Sequence, residues 1–263
     1  MSPGHRSLFV RSALCALILA LAAPLAVFAQ GTVRVAVYNI KHGEGMDGVV
    51  DLARAAAVLR ALDADVITLQ EIDRGVERTN GVDQAAVLGE MLGMDAYFGD
   101  FMPYQGGEYG MAVLSRLPVR RVENIRLPDG DEPRTGLEVE VAVGLEGRPL
   151  SIVGVHLYRT VEERVAQAEA LSEALEGREH PVVLAGDFNS FRGDRVVSGL
   201  RSRDWFVVDK DGASMTFPAD DPAREIDFIM LRPVSAFEVV EHRVIEEVLV
   251  SDHRPLLVVL RLW

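Results

Sequence analysis

The sequence predicts an α/β protein in which two sheets pack together with helices outside. Three observations predict it. Strand-like and helix-like segments alternate in both halves of the chain. Residues 110–156 carry four strand-like runs separated by turn signals, which suits antiparallel pairing. No repeat, low-complexity tract or linker interrupts Gly31 to Trp263, so one domain accounts for them.

The first 29 residues stand apart. Arg6 and Arg11 precede an apolar run from Ala13 to Phe28, and Val27-Phe28-Ala29 suits cleavage before Gln30. This is the three-part pattern of a secretory signal peptide, so an exported protein, periplasmic or secreted, is expected. A retained N-terminal anchor is the alternative. After cleavage no stable membrane insertion is expected. Cys15 is the only cysteine, which leaves the mature chain without disulfides, thiolate metal sites or a cysteine nucleophile. Its core must then stabilise it unaided. Of the 27 basic residues, Arg6 and Arg11 fall in the signal, so 25 face 40 acidic ones, a net of −15. So acidic a chain has no general field for gripping a nucleic-acid backbone. It suits a small substrate, or one held through a metal.

Val33 to Asn39 alternates as a strand, and Asn39 continues the face of Val33, Val35 and Val37. An amide there needs partners. Lys41, His42 and Gly43 follow in a glycine-rich loop. Asp51 caps a predicted helix to Leu62 with a stripe of Leu52, Ala56, Leu59 and Leu62. Asp65 to Glu71 is a second strand with Glu71 at its end, where open α/β sheets place ligands. A second helix covers Val82 to Leu92. The runs 110–115, 119–127, 135–143 and 150–156 are strands, and the last ends at His156. Thr160 and Glu163 form a capping box for a helix striped by Val161, Val165, Ala168, Leu171 and Leu175.

Pro181 to Leu184 is a short buried strand leading into Ala185-Gly186-Asp187-Phe188-Asn189-Ser190. Asp187 and Asn189 are two apart, so in extended chain they point the same way. A polar turn would use the same residue types. Glu225 to Leu231 is a nearly continuous apolar strand holding Asp227. Burying that carboxylate unpaired would cost several kcal/mol, so a cationic or donating partner is expected. Ser251-Asp252-His253-Arg254-Pro255 precedes a closing strand to Leu262.

The polar outliers share one placement. Asn39, Glu71, His156, Asp187, Asn189, Asp227, Asp252 and His253 lie in or at the ends of apolar runs. Oxygen ligands suit a hard cation such as Mg²⁺, and histidines near carboxylates suit proton transfer or phosphate contact.

Tyr38-Asn39-Ile40, Leu69-Gln70-Glu71, Val155-His156-Leu157, Gly186-Asp187-Phe188-Asn189, Ile226-Asp227-Phe228 and Ser251-Asp252-His253-Arg254-Pro255 resemble the successive motifs of the endonuclease/exonuclease/phosphatase superfamily. They stand in that family's order across residues 33–258. The resemblance implies a four-layer α/β/β/α sandwich with two mainly antiparallel sheets and the site at one edge. It implies Glu71 as the principal Mg²⁺ ligand, with Asn39 and Asp252 near the metal; Mn²⁺ or another divalent ion is an alternative. It implies that Asp187 orients or deprotonates water and that Asn189 donates to the phosphate. His253, held by Asp227, and His156 would contact the phosphoryl or leaving group.

Apurinic endonucleases of that family carry an acidic residue two after the first-motif asparagine. Lys41 stands there in this chain, which implies one metal rather than two. Lys41, His42, Arg78 and Arg134 are candidate grips on substrate phosphate, or plain solvated charges. The stretch from Gln105 to Gly110 suits a substrate-facing loop. The expectation is an exported Mg²⁺-dependent hydrolase of a small or lipid-linked phosphate ester. A secreted nuclease is the runner-up, and a sphingomyelinase or a non-catalytic binding module comes behind. Nothing in the sequence bears on oligomeric state.

Overall fold

The computed structural model describes Met1 and residues 31–263. The expected signal peptide lies outside the described residues. In chain order the elements are β1 (Thr32–Asn39), α1 (Leu52–Leu62), β2 (Val66–Arg74), α2 (Gln84–Leu92), β3 (Asp95–Tyr104), β4 (Gly107–Ser115), β5 (Val119–Arg126), β6 (Thr135–Val143), β7 (Arg148–His156), α3 (Val161–Ala174), β8 (Val182–Asp187), α4 (Arg195–Arg201), β9 (Phe206–Val207), β10 (Asp227–Arg232), β11 (Phe237–Val244) and β12 (Leu256–Leu262). They build two six-stranded sheets, ordered β11-β12-β1-β2-β4-β3 and β5-β6-β7-β8-β10-β9.

Each sheet has one parallel pair at its centre, β1 with β2 and β7 with β8, and its other neighbours run antiparallel. A helix makes each parallel crossover, α1 in one and α3 in the other. The carboxyl ends of four parallel strands therefore meet at one edge of the sandwich, where such sheets place ligands.

Strand alternation sorts the cores. Val33, Val35 and Val37 of β1 pack between the sheets against Ile152, Val183 and Ala185. Ala36 and Tyr38 face the other way, under α1 with Ala56 and Leu59. On the second sheet Val182 and Leu184 lie under α3 and α4 with Leu171, Val197 and Trp205. Three apolar layers between four structural layers give the expected α/β/β/α sandwich. Among the described residues no helix is long and apolar enough to cross a membrane.

Asp51 caps α1 as expected, accepting from Ala53 N at 2.9 Å and Arg54 N at 3.2 Å. The α3 capping box does not form. Thr160 makes no side-chain cap, and Glu163 turns to the loop before β6, accepting from Asp131 N at 3.3 Å. The predicted α3 stripe is also corrected at its start: Val161 is exposed, and Gln167 is buried instead, accepting from Tyr158 N at 2.9 Å. Strands β3, β9 and β11 and helix α4 carry weak sequence signals. β3, β9 and β11 are edge strands, and β3 holds Pro103, which only an edge tolerates.

The edge strand β11 contains a pH-sensitive residue. His242 is fully buried, with Nδ1 3.2 Å from Asp209 O and its backbone N–H donating to Asp211 at 3.0 Å. Burial, with the Lys210 charge behind it, pulls its pKa down to about 4. The neutral imidazole is thus favoured in the fold. Its contribution is complete above the unfolded value of about 6.5 and is lost as pH falls from there through about 4. We expect that loss to reach roughly 3 kcal/mol. Urea midpoints from pH 7 to pH 4 should fall less steeply in His242→Gln than in the parent protein; parallel slopes would refute this.

Candidate active site

Asn39 and Asp187 continue the inward faces of β1 and β8, so the two sheets deliver them towards each other. Asn39 Nδ2 donates to Asp187 Oδ2 at 3.2 Å across the gap between the sheets, and to Glu71 Oε1 at 3.1 Å. Asp187 pairs in register with His156 of β7 on one side and Asp227 of β10 on the other. This register requires Gly186. A Cβ there would lie 2.0 Å from Val155 O, so any side chain would push β7 and β8 apart.

Two local conformations differ from the sequence expectation. Glu71 does not end a strand. It sits on a bulge inside β2, at φ 58°, between the paired residues Gln70 and Ile72. The extra residue breaks the alternation and turns the carboxylate to the edge. Asn189 is not extended either. It lies at φ 49°, its N–H donates to Asp187 Oδ1 at 2.8 Å and its Nδ2 to Leu157 O at 2.9 Å. It reaches the cavity through a turn.

His253 completes the cluster. Ser251 Oγ donates to Asn39 O at 2.7 Å and lies 3.3 Å from the His253 N–H, which donates to it, anchoring the loop before β12. His253 Nδ1 lies 3.0 Å from Asp227 Oδ2, the partner that the buried carboxylate required. Its Nε2 lies 3.7 Å from Asp187 Oδ2. Burial alone would lower the His253 pKa, but the Asp227 and Asp187 charges outweigh it, so the imidazole keeps its proton at neutral pH. Burial raises the Asp187 pKa towards neutrality against the pull of His253. His156 Nε2 lies 3.5 Å from Asp187 Oδ2. Burial, then Arg134, His253 and Arg159, drive the His156 pKa well down, so it is neutral.

These groups open onto a cavity of about 470 Å³ lined by Glu71, Asp187, Asn189, His156, Asp252 and His253, among others. Of the four candidate phosphate grips, only Arg134 lines it. Lys41 is turned to Glu44 at 2.9 Å, and His42 lies 3.7 Å from the same carboxylate. Arg78 is clamped by Asp73, with both bonds at 2.8 Å, and stacks on Tyr104. All three are held by acids that sequence proximity alone did not pair with them. The 105–110 stretch contributes Tyr109 to the lining, while Gln105 and Gly106 form the β3–β4 turn. Arg159, Phe217 and Arg224 also line the cavity and escaped the sequence reading. Arg159, three residues past His156, was the one with a positional signal.

The donor set fits a hard cation. Glu71 accepts one hydrogen bond, from Asn39, and Asp252 Oδ1 lies 3.4 Å from Ser251 Oγ, whose hydrogen goes to Asn39 O. Neither is in an ion pair among the described residues, which leaves carboxylate oxygens free at the cavity wall. Asn39 turns its Oδ1 to the Lys41 N–H at 3.1 Å and its amide nitrogen to Glu71, so in this orientation it positions the glutamate rather than offering an oxygen. Asp187, Asp227 and His253 offer a second candidate group, with ligand atoms within 4.8 Å of one another. There the imidazolium already balances the buried acids.

A family model described as "Endonuclease/Exonuclease/phosphatase family" matches residues 36–253. The chain belongs to the endonuclease/exonuclease/phosphatase family. "Uncharacterized protein YbhP" of Escherichia coli (strain K12) is 30% identical over 195 residues, 68% of this chain and 76% of that protein. An endonuclease/exonuclease/phosphatase structure from Beutenbergia cavernae DSM 12333 shares 27% identity with a TM-score of 0.72, covering 88% of this chain and 72% of that one. A mannosyl-6-phosphatase from Bacteroides thetaiotaomicron VPI-5482 has a TM-score of 0.70 at 20% identity, over 87% of this chain and 99% of that one. At that identity the likeness is one of fold alone. Members of the family are hydrolases acting on phosphate esters, typically with a divalent metal.

Proposed function

We propose that this chain is an exported, Mg²⁺-dependent phosphoesterase acting on small phosphate esters, with residues 1–29 as its signal. The observation that carries the chemistry is the buried relay Asp187, His253 and Asp227 beside the unpaired carboxylates of Glu71 and Asp252. Glu71 and Asp252 would hold one divalent ion, which supplies charge neutralisation at the phosphoryl oxygens and the leaving group. Asp187 accepts the proton of the attacking water. A carboxyl held near neutrality by burial is matched to that task. Asn39 fixes the Asp187 and Glu71 carboxylates relative to each other. His253, kept protonated by Asp227, donates to the phosphoryl group as charge builds. His156, neutral, offers a single N–H beside Asp187. Asn189 has one amide hydrogen committed to Leu157 O and keeps the other for substrate.

The cavity volume lies in the range of small-ligand pockets and supports a small substrate over an extended strand. The test is hydrolysis of bis(p-nitrophenyl) phosphate, with a panel of phosphomonoesters, in Mg²⁺ and in EDTA. Turnover that EDTA abolishes and Mg²⁺ restores is expected. Absence of EDTA-sensitive turnover across the panel would overturn the reading.

A further inference from the structure

The cavity wall carries both signs of charge. Glu71, Asp187, Asp252 and Glu132 line it, and so do Arg134, Arg159 and Arg224, in a chain with a net charge of −13. The cluster of Glu71, Asp187 and Asp252 with the His253 imidazolium accounts for one phosphoryl group. It leaves the arginines unexplained.

Arg134 is 4% exposed, yet its Nε and Nη1 have no hydrogen-bond acceptor among the described residues. Glu132 Oε1 lies 2.8 Å from Nη1 but off the line of its N–H bonds. The guanidinium is held by rings instead, 4.8 Å from the centre of Phe101 and 5.7 Å from those of Tyr109 and Tyr158. Glu132 balances the charge, but buried N–H groups left without an acceptor at a cavity wall are costly until a ligand supplies one. Arg224 is similarly mounted, 4.2 Å above Phe217, and Arg159 is exposed at the rim. Neither side chain is in an ion pair among the described residues. Arg74, Arg78, Arg178 and Arg192 are all held by carboxylates.

The stacking also sets position. Phe101 meets His156 edge-on at 6.2 Å, and Phe217 meets His253 edge-on at 4.9 Å. Arg134 and Arg224 each stack on an aromatic ring that also meets a histidine of the site, His156 or His253.

We propose that Arg134, Arg159 and Arg224 form a second anion subsite, and that the substrate is a small phosphate ester carrying a second phosphate or carboxylate group. This rests on the phosphoesterase reading for the first subsite. Guanidinium forks suit both groups, and the aromatic wall suits the body that joins them.

The test is calorimetric binding to the Asp187→Asn protein in Mg²⁺, which separates recognition from turnover. The probes are phenyl phosphate, 4-carboxyphenyl phosphate and 1,4-phenylene bisphosphate. At least one of the two-anion probes should bind at least tenfold tighter than phenyl phosphate, and the better of them identifies the second group. That advantage should shrink to less than threefold in Arg159→Gln/Arg224→Gln, whose altered side chains are exposed and leave the core alone, and in Arg134→Gln. Equal binding of all three probes, an advantage retained in the double variant, or no binding of either two-anion probe at millimolar concentration would overturn the subsite. Tighter binding of a short oligothymidylate than of the bisphosphate would overturn the small-substrate class. Failure of the phosphoesterase reading shows separately, as absent EDTA-sensitive turnover in the parent protein.

Discussion

Asp187→Asn is expected to lower kcat/KM on bis(p-nitrophenyl) phosphate by about 10²–10⁴, the range a positioned proton acceptor contributes. The substitution keeps the shape and one oxygen. That oxygen can take the place of Oδ1 and keep accepting from the Asn189 N–H, while the amide nitrogen replaces Oδ2, so Asn39 Nδ2 loses this acceptor and keeps Glu71. What it removes is the basic oxygen between His156 and His253. Because one buried carboxyl gives way to a neutral amide, the fold should hold, with a far-ultraviolet spectrum matching the parent. The effect should fall on kcat rather than KM, since the residue acts on the water and not on the bound ester. Turnover within threefold of the parent would remove Asp187 from the mechanism and point to His156 as the acceptor.

The alternation rule carried the sequence reading furthest. Val33, Val35 and Val37 predicted the face on which Asn39 lies, and the apolar run before Gly186 predicted the buried strand that ends in Asp187. Two faces that both run into a polar residue at a strand end have to meet where the sheets meet. What was not legible is whatever breaks a regular period. The Glu71 bulge and the left-handed Asn189 depend on tertiary partners, since neither residue type announces positive φ as glycine does. The charged loop residues failed for a related reason. Lys41 and Arg78 looked free because their partners, Glu44 and Asp73, are selected by the fold. Arg224 was invisible for the converse reason. Its role comes from the ring of Phe217 beneath it, seven positions earlier in sequence and joined to it by a β-bridge.

Asp227→Asn is expected to lower kcat/KM by about 10²–10⁴, although Asp227 stands behind His253 and away from substrate. The carboxylate does two things for the imidazole. It fixes the ring by accepting from Nδ1 at 3.0 Å, and it offsets the burial that would otherwise strip the proton. An asparagine preserves volume and the strand pairing of β10 with β8, so ring position changes little. It leaves a buried histidine with Asp187 and the weaker pull of Asp252 to oppose desolvation, and Asp187 is itself drawn towards its neutral form by burial. The imidazole should then be neutral at pH 7, and the phosphoryl group loses a cationic donor. Two readouts separate this from a loose fold. Nitrogen chemical shifts of His253 should move from the protonated to the neutral pattern at pH 7. His253→Asn alone and His253→Asn with Asp227→Asn should show equal losses, because a residue that works only through another adds nothing once the other is gone. Additive losses would mean that Asp227 has a function of its own, and the nearby Lys210, whose Nζ donates to the Asp227 carbonyl at 2.9 Å, would be the place to look for it.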